Sequence, residues 1–310
     1  MPTFNSAHYL RDAISSVLRQ SFQDFELVVV DDGSTDETAS VLNQIADPRL
    51  QVVSLDQNMG LASARNVGLE KSRGELIAWL DSDDLSRSDR LMRQVRILRK
   101  EPEIGLCGSW VKTFGGTRTH SWRYPRSADV IASRMVFDDP LATSSVVVRR
   151  VAVEEAGGFN RSLAPAEDYD LWERLTHKWH LVNVPRFLTR YRLHNAQSSV
   201  MQREKQCQAV RAIQARQLQR LTDHLDSEEW RIHLALGRGW GEGLSSEDLP
   251  LVEAWVRRLL SANETRKEYP VSAFRSVLLH RLHVARHVCQ PSVVRHARRI
   301  VSSAWNEVRG

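Results

Sequence analysis

The sequence predicts an α/β fold, with a mostly parallel sheet flanked by helices and then a mainly helical C-terminal region. Three observations predict it. Strand-like and helix-like segments alternate at short intervals over the first hundred residues. Two of the strand-like segments end in aspartate clusters. After about residue 200 the texture turns to helix alone. Such alternation calls for parallel strands joined by crossover helices. The chain has 310 residues, 42% of them hydrophobic. That suffices for one large domain, or for one domain plus a smaller one. The change of texture divides it into residues 1–200 and 201–310.

Residues 8–19 place Leu10, Ala13, Ile14, Val17 and Leu18 at helical spacing. Phe25–Val30 is β-branched and almost wholly apolar, the mark of a buried strand. It stops at Asp31-Asp32-Gly33-Ser34, where Ser34 and Glu37 have capping-box spacing for a helix with Val41, Leu42 and Ile45 on its inner face. Leu50–Leu55 is a second strand. Gly60 opens another helix, and Gly74 marks its end. Glu75–Leu80 is a third strand, stopping at Asp81-Ser82-Asp83-Asp84. Ser88 is placed to cap a helix carrying Leu91, Met92, Val95 and Leu98. Beyond Arg99 the alternation breaks down. Ile104–Val111, Ser144–Arg149 and Leu188–Leu193 have strand character, Asp168–Thr176 is a short helix, and from Gln202 Val210, Ile213, Leu218 and Leu221 share a helix face. In open α/β sheets ligands bind beyond the carboxyl ends of the strands. The two aspartate clusters are therefore expected at one rim.

Composition narrows the class of protein. Charged residues are 26% of the chain, ordinary for a globular protein. No apolar run approaches the ~20 residues of a membrane span, and Met1-Pro2-Thr3-Phe4-Asn5 lacks the features of a signal peptide. Cys107, Cys207 and Cys289 are scattered without metal-site spacing, which suits a reducing compartment. The cytoplasm is the expected location. From Arg266 onward nine basic residues face only Glu268 and Glu307, so this tail carries +7 against +5 for the whole chain. Such a tail is a solvated helix face or a contact for the inner face of the membrane. No nucleic acid is expected as a partner.

Asp81-Ser82-Asp83-Asp84 is the strongest chemical signal. Crowded carboxylates repel one another and call for a positive group. Hard oxygen donors suit Mg²⁺ or Mn²⁺, commonly held by one or two carboxylates and substrate phosphates. The competing reading is an acidic turn before a helix. Asp32 has no structural duty visible in the sequence, which makes it a ligand candidate. Asp168, at a helix start, reads from composition as a cap rather than a base. His194 is a lone histidine after a strand-like run, and by itself it favours no ligand role. Trp230, Trp240, Trp255 and Trp305 read as packing residues, and Trp110–Pro140 as a segment that shapes an acceptor pocket.

Seven segments in order resemble glycosyltransferase family 2, the inverting family with the GT-A fold. They are Pro2-Thr3-Phe4-Asn5, Val30–Asp36, Asn58–Leu69, Asp81-Ser82-Asp83-Asp84, Gly157-Gly158-Phe159, Glu167–Trp172 and Tyr191-Arg192-Leu193-His194. The resemblance covers roughly residues 1–200. It implies that Thr3, Phe4 and Asn5 border the nucleobase, that Asp32 binds the nucleoside, and that Arg65 and Asp81 help hold the nucleotide. It implies Mg²⁺ or Mn²⁺ at Asp83 and Asp81, with His194 alongside, and Asp168 as the catalytic base. The implied donor is a nucleoside-diphosphate sugar, with UDP favoured. The implied acceptor is a glycan or lipid-linked hydroxyl in surface polysaccharide or glycolipid synthesis. Two alternatives stand beside it: a non-catalytic relative acting as a binding or scaffold protein, and a sugar-phosphate nucleotidyltransferase.

The sequence departs from the family at its start. An apolar strand normally precedes the Pro-x-x-Asn segment, and here only Met1 does. The sheet is thus expected to lack its first, interior strand, and the natural chain is expected to begin upstream.

Overall fold

A computed structural model describes residues 1–195, 197, 201–237 and 243–289. The chain divides into two compact units. Unit 1 is Met1–Arg126 with Leu141–Val210, and unit 2 is Ser127–Pro140 with Arg211 onward. Arg295, Arg298, Arg299 and Arg309 of the basic tail, with Trp240 and Trp305, lie outside the described residues. Among the described residues no helix is long and apolar enough to cross a membrane.

Unit 1 begins with β1 (Pro2–Thr3), α1 (Ala7–Leu18), β2 (Leu27–Asp31), α2 (Thr38–Asn43), β3 (Leu50–Ser54) and α3 (Leu61–Lys71). β1, β2 and β3 are consecutive neighbours, all parallel. Every residue of β2 is buried, as its unbroken apolar run requires. Leu10, Ala13 and Ile14 of α1 pack with Leu27, Val29 and Leu42 on one face, and Ala64 of α3 covers Val28 and Val30 on the other.

A second sheet follows: β4 (Leu76–Ala78), β5 (Leu85–Ser86), β6 (Ile104–Phe114), β7 (Ser121–Trp122), β8 (Val147–Arg149) and β9 (His180–Arg192). Its order is β4-β8-β6-β9-β5, with β7 on β6. β6 and β9 run parallel, and the remaining pairs are antiparallel. The helices of this half are α4 (Arg90–Lys100), α6 (Arg150–Glu155) and α7 (Glu167–Leu175), with α5 (Ala128–Met135) contributed to unit 2.

A first strand is present, contrary to the expectation from the sequence. Pro2 and Thr3 pair with Val30 and Asp31. Met1 continues the ladder: its ammonium donates to the Val28 carbonyl at 2.8 Å, and its carbonyl accepts from Val30 N–H at 2.9 Å. Burial pushes that ammonium down to about 5. Between β2 and β4 lies a cavity of about 690 Å³, lined by Met1, Leu27 and Val28 on one side and Leu76, Ile77 and Ala78 on the other.

Local signals gave way to longer-range ones at several places. Ser34 does not cap α2. Its hydroxyl accepts the Asn5 N–H at 2.9 Å, and Asp36 accepts the Thr38 N–H instead. Ser88 does not cap α4, which starts after Asp89, and Met92 is exposed while Leu91, Val95 and Leu98 are buried. α3 ends at Lys71, ahead of Gly74. β9 begins eight residues before the expected strand, and its register shifts along β6 absorb Pro185.

Unit 2 is helical. Besides α5 it contains the C-terminal half of α8 (Arg203–Gln219), α9 (Ser227–Gly237), α10 (Leu249–Arg266) and α11 (Val271–Cys289). Leu218, Leu221, Trp255, Leu259 and Phe274 form its core around Val136 and Phe137 of the inserted segment. Trp230 and Trp255 both pack in this cluster. Asp138 receives the buried Arg281 guanidinium at 2.6 Å, which satisfies a charge that could not stay buried alone.

Candidate active site

A cleft of about 610 Å³ opens at the carboxyl ends of β1 and β2, and both aspartate clusters reach it. The sheet places them there: β2 ends at Asp31, and the chain after β4 runs through Asp81 to Asp83. Thr3, Phe4, Asn5, Asp32, Arg65, Asp81, Asp83, Asp168 and His194 all line this one cleft.

At its N-terminal end, Thr3 is buried and its hydroxyl has no hydrogen-bond partner among the described residues. Phe4 is 44% exposed. Asn5 holds a left-handed conformation (φ 48°) that asparagine tolerates, and its Oδ1 accepts the Thr35 N–H at 2.8 Å. Gly33 (φ 69°) turns the chain against Gln57, where a Cβ would stand 2.5 Å from the Gln57 carbonyl carbon. Asp32 proves to have a structural duty. Its two oxygens accept Met59 N–H at 2.7 Å and Gly60 N–H at 2.9 Å, fixing the loop that starts α3. The sequence hides this because the partners are backbone groups 27 and 28 residues away.

Arg65 is the centre of the cleft's charge network. It is 3% exposed, and it donates to Glu167 Oε1 at 2.7 Å and to Asp81 Oδ1 at 3.0 Å. Two carboxylates hold its charge firmly in place and raise its pKa. Glu167 is 1% exposed, and its Oε2 has no partner among the described residues. Burial pushes its carboxyl up to about 7; Arg65 opposes the shift and Asp168 adds to it. The sequence reading left Glu167 without a role. The available signal was Arg65 itself, a charge on the Ala-rich face of α3 with no acid one turn away.

Asn66, the next residue, clasps the 158–159 turn. Its Oδ1 accepts the Phe159 N–H and its amide donates to the Phe159 carbonyl, both at 2.9 Å. That turn requires Gly158 (φ 74°), since a Cβ would approach Asn66 Oδ1 to 2.9 Å. Phe159 is thereby set edge-on to Trp79 and 5.5 Å below the Arg65 guanidinium.

The Asp81–Asp84 turn is tied from β9. Arg192 N–H donates to Asp84 Oδ1 and its Nε to the Asp83 carbonyl, each at 2.8 Å. His194 Nε2 lies 2.8 Å from Asp83 Oδ2, and its ring packs on Tyr9. Asp83 is raised by burial and then by the charge of Asp81. Asp84 is raised well above the usual carboxylate range by burial first, then by the charges of Asp83 and Asp81. Asp168 is not the N-cap, a position held by Ala166. It sits in the first turn of α7, with Oδ1 accepting Tyr169 N–H at 2.8 Å and Oδ2 accepting the Thr143 hydroxyl at 2.5 Å. Nothing in the sequence pointed to Thr143.

Among the described residues no group of three or more His, Cys, Asp or Glu side chains is placed to hold a metal ion. The donor chemistry nevertheless suits an open divalent site. Hard cations of the Mg²⁺ type take one or two protein carboxylates and complete their shell with substrate phosphates and water. Asp83 and His194 lie 2.8 Å apart in the cleft, the charge of Asp81 bears on Asp83, and the raised Asp83 carboxyl is one a cation would relieve.

The sequence model of Glycosyl transferase family 2 matches residues 1–151. An uncharacterized glycosyltransferase of Haemophilus influenzae is 30% identical over 228 residues, which are 68% of this chain and 69% of the relative. The Escherichia coli UDP-Glc:alpha-D-GlcNAc-diphosphoundecaprenol beta-1,3-glucosyltransferase WfgD is 27% identical over 202 residues, 64% of this chain and 77% of that protein. The fold is shared with the mannosyltransferase PcManGT of Pyrobaculum calidifontis, solved with GDP-Man and Mn²⁺. That likeness has a TM-score of 0.59 at 18% identity and covers 92% of this chain and 84% of that one. With the family's sequence model matched and a relative of this identity and span, the chain belongs to glycosyltransferase family 2.

Proposed function

We propose that the cleft transfers a sugar, with inversion, from a nucleoside-diphosphate donor to an acceptor hydroxyl in surface polysaccharide or glycolipid synthesis. The single observation that carries this reading is the convergence in one cleft of Asp32, the Asp81–Asp83 turn, His194 and Asp168. Thr3, Phe4, Asn5 and Asp32 border the nucleoside, with the Thr3 hydroxyl buried and unpartnered among the described residues. Arg65 holds Asp81 in place toward the diphosphate. A UDP-sugar is favoured over a GDP-sugar because WfgD, a sequence relative, carries UDP-Glc in its name, whereas PcManGT is alike in fold alone.

Asp83, with Asp81 and His194, would hold Mg²⁺ or Mn²⁺. Such an ion supplies neutralisation of the charge that grows on a leaving diphosphate. Asp168 acts as general base. It takes the proton from the acceptor hydroxyl as that oxygen bonds to the anomeric carbon, and the electron pair of the breaking carbon–oxygen bond departs with the nucleoside diphosphate. Attack and departure occupy opposite faces, so the anomeric configuration inverts. Thr143, by donating to Asp168 Oδ2, fixes the carboxylate and leaves a lone pair of that oxygen for the acceptor.

Release of nucleoside diphosphate from UDP-glucose, UDP-galactose and UDP-N-acetylglucosamine tests the base directly. Asp168→Asn is expected to lower turnover by at least ~10²-fold with nucleotide affinity unchanged. Undiminished turnover in that variant overturns the assignment of Asp168.

A further inference from the structure

We propose that the cleft holds a subsite for an acceptor sugar ring, with Trp122 and Tyr191 as its stacking platform; this rests on the transferase reading above. A pyranose ring presents a face of C–H bonds and a rim of hydroxyls. It is therefore recognised by an aromatic surface beneath it and by hydrogen-bonding side chains at its edge. The cleft offers both. Trp122 and Tyr191 lie 5.1 Å apart, tilted by 47°, and both line the cleft together with Tyr124. Gln202 and Gln206 line it as well, supplying amide donors and acceptors.

The platform and the proposed base share one framework. On β9, Tyr191 lies two residues beyond Thr189 and so on the same face. The Thr189 hydroxyl bonds the Ser144 carbonyl, and the adjacent Thr143 donates to Asp168. Trp122 is paired with Val111 and Tyr191 with Thr113, next-but-one residues of β6. The strands thereby bring the two rings together.

Trp122 is still 36% exposed, unusual for an indole packed beside another ring. A ring left half open inside a polar-edged cleft suits a ligand that is apolar on one face only. A lipid chain would need an apolar wall on all sides, and the glutamine edge does not provide one. The ring that stacks here is the one bearing the hydroxyl deprotonated by Asp168, so the acceptor is a saccharide terminus.

Saturation-transfer NMR on the full chain with UDP and Mn²⁺ tests this. The probes are the methyl glycosides of glucose, galactose, mannose, rhamnose and N-acetylglucosamine at ~10 mM, enough to populate a site of millimolar affinity. At least one is expected to bind, with saturation strongest on the C–H protons of one ring face. Trp122→Ala is expected to weaken that binding about tenfold and Trp122→Phe to restore most of it, while the thermal shift given by UDP and Mn²⁺ stays the same in all three proteins. No binding by any of these saccharides, binding unaffected by Trp122→Ala, or binding of dodecylphosphocholine micelles instead each overturns the subsite. Loss of the UDP shift in the unaltered chain would instead indict the transferase reading on which it rests.

Discussion

Replacing Arg65 by Met should produce a loss of stability that depends on pH, because the side chain left exposed to the loss is Glu167. Arg65 is 3% exposed and Glu167 is 1% exposed, joined at 2.7 Å. Removing one partner of a buried pair costs about 3–5 kcal/mol, against a total stability of ~5–15 kcal/mol. Even with Arg65 present, the Glu167 carboxyl stands at about 7, up from 4.5. A carboxyl with a raised folded-state pKa contributes fully below 4.5, where both states hold the proton. Its contribution is lost as pH rises toward 7, by about 3 kcal/mol at 1.36 kcal/mol per pKa unit. Without Arg65 that loss deepens and extends above pH 7. Urea unfolding at pH 5 and pH 8, followed by near-UV circular dichroism, measures it for the wild type, Arg65→Met, Glu167→Gln and the double variant. Arg65→Met is expected to cost ~3–5 kcal/mol at pH 8 and clearly less at pH 5, where Glu167 keeps its proton. Glu167→Gln in the same background should return a large part of the pH 8 loss. Equal losses at both pH values, or a double variant no better than Arg65→Met, would refute the charge argument.

Three further outcomes are expected. Gly158→Ala forces a side chain onto φ 74° and against Asn66 Oδ1, and a loss of ~1–3 kcal/mol should appear as a lower midpoint in thermal unfolding. In unit 2, His233 is fully buried, stacked with Phe137 and Trp230 and edge-on to Trp255, and burial holds its imidazole down to about 4. The unfolded state then binds the proton first, so stability falls by about 3 kcal/mol as pH drops from 6.5 to 4; tryptophan fluorescence should show that loss, and His233→Gln should flatten it. Adding five alternating Val and Ile residues ahead of Met1 should extend β1 along β2 beyond Val28, fill the cavity between β2 and β4 and remove the buried ammonium. A gain of at least ~2 kcal/mol would raise the unit 1 midpoint by roughly 4–8 °C, and calorimetry showing no gain would mean that the cavity does not accept a strand.

The elements of the first hundred residues were legible because their signals are local. The apolar run Phe25–Val30, the helical spacing of α1 and the aspartates that end each run need no partner to be read. The shared rim followed from the same pattern. Pairing was not legible. That β4 runs antiparallel to β8, and that β9 starts at His180 despite Pro185, depends on contacts far along the chain. The site divides the same way. Asp81 and Asp83 stood out by type and position, whereas His194 entered only through the family resemblance and Asp32 stood out because its backbone partners, Met59 and Gly60, lie far along the chain. The Arg65–Glu167 pair spans 102 residues, and the Thr143 contact with Asp168 has no sequence signature at all. Ser34 shows the opposite failure, a correct local motif outcompeted by Asn5.

The transferase reading is tested most directly by thermal unfolding with UDP, GDP and dTDP, each with and without Mn²⁺, beside Asp83→Ala. A nucleotide at about 100 times its dissociation constant stabilises by ~2.7 kcal/mol, which for a unit of this size raises the midpoint by roughly 5–11 °C. The expected result is such a shift with UDP, only when Mn²⁺ is present, and its disappearance in Asp83→Ala. A cooperative unfolding transition that none of the three nucleotides moves, with or without metal, would contradict a donor site in this cleft.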